Sequence, residues 1–331
     1  MKRIICLALC AMAAVLACAC NNQGASPTTP TQVQQDETVA QQTPDSVAPT
    51  ESSGSLSLKG FINTFDTTPK IEEQQNIYED SNMSVSLKGI DYTAVSGPVL
   101  KLAISNKTDK DVVVQSPYSI VNGYMITPDI NSTIAASKSA DCSLTLRYFN
   151  LAISNITSLK KIEFALRLVD SKSYNPIVTT DLISVETSAN QDEEVACDES
   201  GQVAYDDNDI KIILKGVNTD RAYSDGAELM VYMYNGTDKS ITVRAEDVIV
   251  NGYDMTSAMS STILPDKRAV DVVTFYKLDM EEHAIEEIDN VKVSFTIKDT
   301  ETWETIDSTD LISVTLPEKS TESASEDQKT K

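Results

Sequence analysis

The tetrapeptide VNGY occurs at Val121–Tyr124 and again at Val250–Tyr253, 129 positions later, and DLISV returns at the same offset, at Asp181–Val185 and Asp310–Val314. Self-similarity at a fixed offset means that the chain is built from two copies of one module. The offset also carries Asn106, Thr108, Asp109 and Lys110 onto Asn235, Thr237, Asp238 and Lys239. Upstream, a shift of 127 lays Leu87–Gly89 on Leu214–Gly216, so the copies differ by two residues in the loop that follows. The modules span residues 76–189 and 203–316, and the acidic stretch 190–202 connects them.

Within each copy the apolar residues recur with a period of two, the pattern of a half-buried strand. Met83, Val85 and Leu87 alternate with Ser84, Ser86 and Lys88, and Ile210, Ile212 and Leu214 repeat the arrangement. Leu100, Leu102 and Ile104 correspond to Leu229, Val231 and Met233; Ile162, Phe164, Leu166 and Leu168 correspond to Val291, Val293, Phe295 and Ile297. Short strands separated by turns at this density predict an all-β chain of two tandem immunoglobulin-like β-sandwich domains. A few helical residues are expected near Met280 to Ile288. In VNGY, Asn-Gly is the dipeptide that most readily takes the positive φ angles of a tight hairpin turn, so the motif marks the fold rather than a ligand loop.

The 331 residues include 50 acidic against 27 basic ones, a formal charge of -23. Such a surface repels phosphate backbones and anionic headgroups, which excludes nucleic acid as a partner. The chain starts with Lys2 and Arg3, then an apolar run from Ile4 to Ala17 that is too short for a permanent span and reads as a signal peptide, residues 1–17. The run ends in VLAC, which resembles the lipobox of bacterial lipoproteins, where the cysteine is lipidated and becomes the new N-terminus. The resemblance implies lipid attachment at Cys18 and a membrane partner reached through that lipid; Leu16 is less usual there than a small residue, and Cys20 is the rival. Residues 18–75 are rich in Ser, Thr, Pro and Gln, with Pro27, Pro30, Pro44 and Pro49 spaced through them, and read as a disordered tether. SLKG at Ser57–Gly60 recurs at Ser86–Gly89, but linker is the preferred reading for 55–75. The charged tail 317–331 is expected to be disordered.

With the modules YDDNDIKIILKGV and ELMVYMYNGTDKSITVRAEDVIVNGYDM, this arrangement resembles the immunoglobulin-like sandwich modules of surface lipoproteins from Gram-positive anaerobes. The resemblance implies a fold and a surface location, and no activity.

No residues call for a cofactor or a metal. The one histidine, His283 in MEEHAIEE, has no nucleophile motif beside it and reads as an exposed, acid-flanked side chain. Asp206, Asp207, Asn208 and Asp209 form an oxygen-rich run without EF-hand spacing, with a weaker counterpart at Glu79, Asp80, Ser81 and Asn82; a solvated acidic strand entry is the preferred reading. Cys142 alternates with Leu144 and Leu146 and belongs near a core, while Cys197 sits in the connector; a bridge between them stays open.

One contrast between the copies suggests a site. Opposite the inner face of Leu229, Val231 and Met233, the second copy carries Met230, Tyr232 and Tyr234 where the first has Lys101, Ala103 and Ser105. Such a row is the composition of a binding face. The other reading is that the second sheet, a loop or the first copy covers it. The chain is thus expected to be a non-enzymatic surface lipoprotein with a binding or scaffolding role toward a surface protein or glycan; the alternative is an inhibitor or immunity-type lipoprotein acting on an envelope enzyme or phage component.

Overall fold

The alternating pattern becomes paired strands in both copies. The computed structural model describes residues 58–191, 197–218 and 226–316, so Cys18, Cys20, the signal segment and the tail 317–331 lie outside the described residues. The first module opens with a helix, α1 (Leu58–Thr64), and strands β1 (Gln74–Glu79), β2 (Met83–Asp91), β3 (Val99–Asn106), β4 (Val112–Gln115), β5 (Ser119–Val121) and β6 (Tyr124–Ile126). It continues through β7 (Ser132–Ile134), β8 (Ser139–Thr145), α2 (Tyr148–Ile153), β9 (Lys161–Phe164), β10 (Arg167–Asp170), β11 (Pro176–Thr179) and β12 (Ile183–Glu186). The second module comprises β13 (Gln202–Asp207), β14 (Ile210–Asn218), β15 (Gly226–Asn235), β16 (Ile241–Val250), β17 (Tyr253–Asp254) and β18 (Ser260–Ile263). Its remainder is β19 (Lys267–Tyr276), α3 (Lys277–Glu282), β20 (Val291–Asp299), β21 (Thr305–Ser308) and β22 (Ile312–Ser313).

In the first module β1-β2-β3-β8 form one sheet and β11-β10-β4-β7 another; in the second, β17-β16-β20-β21 form a sheet with β18 on β16 and β22 on β20. The remaining strands join in a single sheet that crosses from one module to the other, in the order β12-β9-β5-β6-β19-β15-β14-β13. Inner-face residues are where the alternation puts them: Met83, Val85, Leu87, Leu100, Leu102 and Ile104 are buried in one core, and Ile212, Leu214, Leu229, Val231 and Met233 in the other. The long β16 is split into β4 and β5 in the first module, where Pro117 stands in the gap; proline lacks the N–H that a ladder needs and fixes φ.

Both VNGY segments are the same turn. Asn122 and Gly123 have φ of 51° and 85°, Asn251 and Gly252 of 52° and 89°, the left-handed pair a tight hairpin requires. The asparagine does more than turn. Asn122 Nδ2 donates to the Ser158 carbonyl at 2.8 Å while its Oδ1 accepts from the N–H of Lys160 and Lys161. Asn251 repeats this with Glu287, Asp289 and Asn290. A hairpin tip is thereby tied to the loop that enters β9 or β20.

One expectation is corrected. The tether does not reach residue 75: α1 and the segment after it pack on the first sandwich, with Phe65 and Ile71 buried and the Phe65 ring 5.3 Å from that of Tyr148. Ser188 N–H donates to the Lys70 carbonyl at 2.8 Å, fastening the segment to the module's last strand region. The physical cause is the spacing of Leu58, Phe61 and Phe65, one face of a helical turn. A short helix of the second module occupies Lys277–Glu282, overlapping the segment near Met280 to Ile288 where a few helical residues are expected.

Candidate functional site

The candidate face does not look outward. Tyr232 is 1% exposed and, with Ile213, belongs to the hydrophobic core of the first module, against which Tyr234 and Val270 also pack. Met230 is half-buried. Tyr232 therefore lies in the joint between the sandwiches with Tyr234 at its edge, and the row Met230, Tyr232 and Tyr234 is corrected from an exposed face to one that is buried at Tyr232 and half-buried at Met230 and Tyr234. Of the two readings that the copy contrast allowed, the structure has the one in which the first copy covers Tyr232.

The joint is made by backbone as well as side chains. Strand β6 runs parallel to β19, with Arg268 opposite Tyr124 and Ala269 opposite Met125, and Arg268 N–H donates to the Gly123 carbonyl at 3.1 Å. The Arg268 guanidinium lies 5.1 Å from the centre of the Tyr234 ring, a cation–π contact. Lys267 reaches across to Glu163 at 3.4 Å. Connector residues close the other side. Cys197 Sγ is 3.1 Å from the Tyr232 hydroxyl, which also donates to Glu199, itself paired with Lys211 at 2.8 Å. Burial, then the Cys197 contact, pushes the Tyr232 phenol well above the ordinary tyrosine range. Cys142 and Cys197 are both free thiols, and burial pushes Cys142 upward.

Past Ala269, β6 has turned away from β19 and the edge of β19 opens into a cleft of about 220 Å³. Tyr118, Met125 and Pro128 of the first module face Ser260, Thr262 and Asp271 of the second across it. A neighbouring hollow of about 180 Å³ shares Ser260 and Asp271 and extends along β19 to Thr274 and Tyr276. Asp271 points inward from β19, at the position that Cys142 holds in the first module. Its Oδ2 accepts from the Ser261 hydroxyl and its Oδ1 from the Val272 N–H at 2.8 Å. Burial pushes its carboxyl above the ordinary aspartate value against those two hydrogen bonds, and no cation stands among the groups acting on it.

The sister module shows what is distinctive here. There, Thr145 N–H donates to the Asp129 carbonyl at 2.9 Å and the pair forms an isolated bridge across the same edge. Among the described residues, the counterparts Ala258 and Thr274 form no such bridge, and the hollow occupies its place. Nothing in the residue order marks this site, because Asp271 is one acid among many; only its alignment with buried Cys142 could have singled it out.

The other sequence candidates resolve simply. His283 stacks on Tyr253, ring centres 4.4 Å apart, at the end of α3, and is half-buried rather than exposed. Asp206 and Asp207 end β13, and Asn208 and Asp209, at φ of 52° and 58°, form the turn to β14. Among the described residues no group of acidic, histidine or cysteine side chains is placed to hold a metal ion.

No protein-family model and no curated protein matches the chain. Among solved structures, the YadV chaperone is 14% identical over 65% of this chain and 92% of its own, with a TM-score of 0.20. A Porphyromonas gingivalis W83 protein of unknown function is 10% identical over 71% of this chain and 97% of its own, TM-score 0.18. The Salmonella enterica SafA pilin in complex with the SafB chaperone gives 8% identity over 65% and 89%, TM-score 0.19. Overlaps at these scores assign the chain to none of those families, and the all-β, two-sandwich architecture rests on its own strand order and cores.

Proposed function

We propose that the chain is a lipoprotein held at the outer face of a cell membrane through Cys18 and that its fused sandwiches bind an envelope protein or glycan without transforming it. The observation that carries the binding role is the cleft between modules, where a desolvated Asp271 meets hydroxyls on one wall and apolar side chains on the other. A concave site with an apolar lining and a few convergent polar groups is the ordinary geometry of recognition. The joint supports the scaffolding half of the reading: a backbone-paired crossing with a buried tyrosine keeps the cleft walls in register. The acidic surface supports a partner other than nucleic acid. A photocrosslinking residue in place of Pro128, on the cleft wall, should give a discrete adduct in intact cells, whereas one in place of exposed Val95 should not. Identical patterns from both positions, or no adduct from the cleft, would overturn the reading.

A further inference from the structure

Among the described residues, four non-glycine positions with left-handed backbone recur in both modules at the 129-residue offset. Three of the pairs are occupied by small or polar residues: Asn122 and Asn251, Ser137 and Asp266, Asn155 and Ala284. The fourth is Tyr174 with Trp303, at φ of 56° and 63°. Bulky aromatic residues are poor occupants of this region, which glycine takes freely and asparagine readily. These two are also out in solvent, 64% and 51% exposed, and Trp303 is the single tryptophan of the chain.

The hairpin tips that carry them are built identically. Asp170 Oδ1 accepts from the N–H of Lys172 and Ser173, and Tyr174 N–H donates to the Asp170 carbonyl at 2.8 Å. Asp299 Oδ1 accepts from Glu301 and Thr302, and Trp303 N–H donates to the Asp299 carbonyl at 2.9 Å. The turn accounts for the aspartates, and it accounts for Ser173 and Thr302, whose hydroxyls accept from the N–H of Asn175 and Glu304. It does not account for an aromatic ring where glycine would serve. Nor does a shared side-chain contact: Lys298 lies 5.9 Å from the Trp303 ring, but the matching residue of the first module is Val169. Between the copies the tip has changed at every position from 171 to 176, and Lys172 has become Glu301, a reversal of charge, while the aromatic class has stayed.

We propose that Tyr174 and Trp303 are a duplicated stacking site for a neutral polysaccharide. An exposed outlier of backbone conformation is a reason to look for function. A flat ring with a negative face attracts the weakly positive C–H face of a sugar. The tips differ in charge, with Asp170 and Lys172 in one and Lys298, Asp299, Glu301 and Glu304 in the other, so a charged ligand would meet unlike fields at the two, which fits an uncharged one. A lone ring on a polar tip is too small for a stable protein interface, which buries roughly 800 Å² per partner. Two equivalent tips suit a ligand that offers the same face repeatedly, where linked weak sites gain by effective concentration. This site is separate from the cleft and shares with the reading above only an extracytoplasmic address.

The test uses the full chain in detergent and depletion isotherms on insoluble cellulose, chitin and β-1,3-glucan. Wild type should be retained on at least one polymer, Tyr174→Gly and Trp303→Gly should each weaken retention about tenfold or more, and the double variant should fall to background. Glycine carries the left-handed conformation without penalty, so the double variant should melt at or above the wild-type temperature. Val95→Ser, at an exposed position outside both sites, should bind the polymer as wild type does, which ties the loss to the two rings. The proposal is overturned if wild type is retained on none of the three, if the double-glycine variant is retained equally, if it melts far below wild type, or if dextran sulfate competes as well as the neutral polymer.

Discussion

Asn122 and Asn251, 129 positions apart, each donate Nδ2 at 2.8 Å to the carbonyl of the residue 36 places further on, Ser158 and Glu287. The most visible sequence motif is thus a clamp between two loops, with the hairpin as its frame. Replacing either asparagine by Ala removes a donor, two accepted hydrogen bonds and the tolerance for positive φ, and should destabilise its module by about 2–4 kcal/mol. Asn251→Gly keeps the turn and loses only the clamp, so it should fall between wild type and Asn251→Ala in chemical denaturation. Equal stability of Asn251→Gly and wild type would show that the clamp contributes nothing.

Tyr232 makes a second prediction. Tyr232→Ser empties a fully buried ring site in the joint and should cost on the order of 3 kcal/mol or more. Tyr232→Phe keeps the ring and loses only the hydroxyl shared with Cys197 and Glu199, so about 1 kcal/mol is expected. Tyr234→Ser, at a half-buried position, should lie between them. Denaturation of the full chain monitored by fluorescence of Trp303 and by circular dichroism checks the order.

A third concerns pH. Asp271 has a raised folded-state pKa because of burial, so the folded state holds its proton more tightly than the unfolded chain does. Its contribution to stability is fully present below the unfolded value and is lost as pH rises through the folded value. Asp271→Asn should therefore be more stable than wild type at neutral pH, with the difference shrinking as pH falls toward the ordinary aspartate range. A difference that grows on acidification would mean that the carboxylate, not the acid, is the favoured form.

The anchor gives a fourth. Cys18→Ala should move the protein from the membrane to the soluble fraction and abolish metabolic labelling with a fatty acid. Persistent labelling would transfer the anchor to Cys20.

How far the fold could be read ahead depended on periodicity. The strands with clean alternation, Met83–Asp91 and Val99–Asn106 with their counterparts, were legible because a half-buried strand writes its two faces directly into the residue order. The segment 58–75 was not, because one helical turn and a few apolar anchors carry no sustained period and its flanking composition is that of a tether. The same limit explains the tyrosines. Alternation tells which residues leave the core of their own sandwich, so it separated Tyr232 from Val231 correctly; it says nothing about a second core arriving from outside. Asp271 was invisible for the converse reason, as an inward position filled by a residue type that usually faces water.

The joint has a consequence for how such chains behave together. It is one-sided: the second module supplies Ile213, Tyr232, Tyr234 and Val270, whereas the first carries Ser86, Ala103, Ser105 and Asp141 at the matching positions. On the other side of the contact, Pro117, Tyr118 and Met125 of the first module become Glu246, Asp247 and Asp254 in the second. A duplicated module joined head to tail invites open-ended addition, each free end accepting the next molecule into a filament. Here the two free ends are polar where the inner ones are apolar, and acidic groups would meet Asp141 across any new contact. The apolar match that joins the two modules is therefore repeated at neither free end.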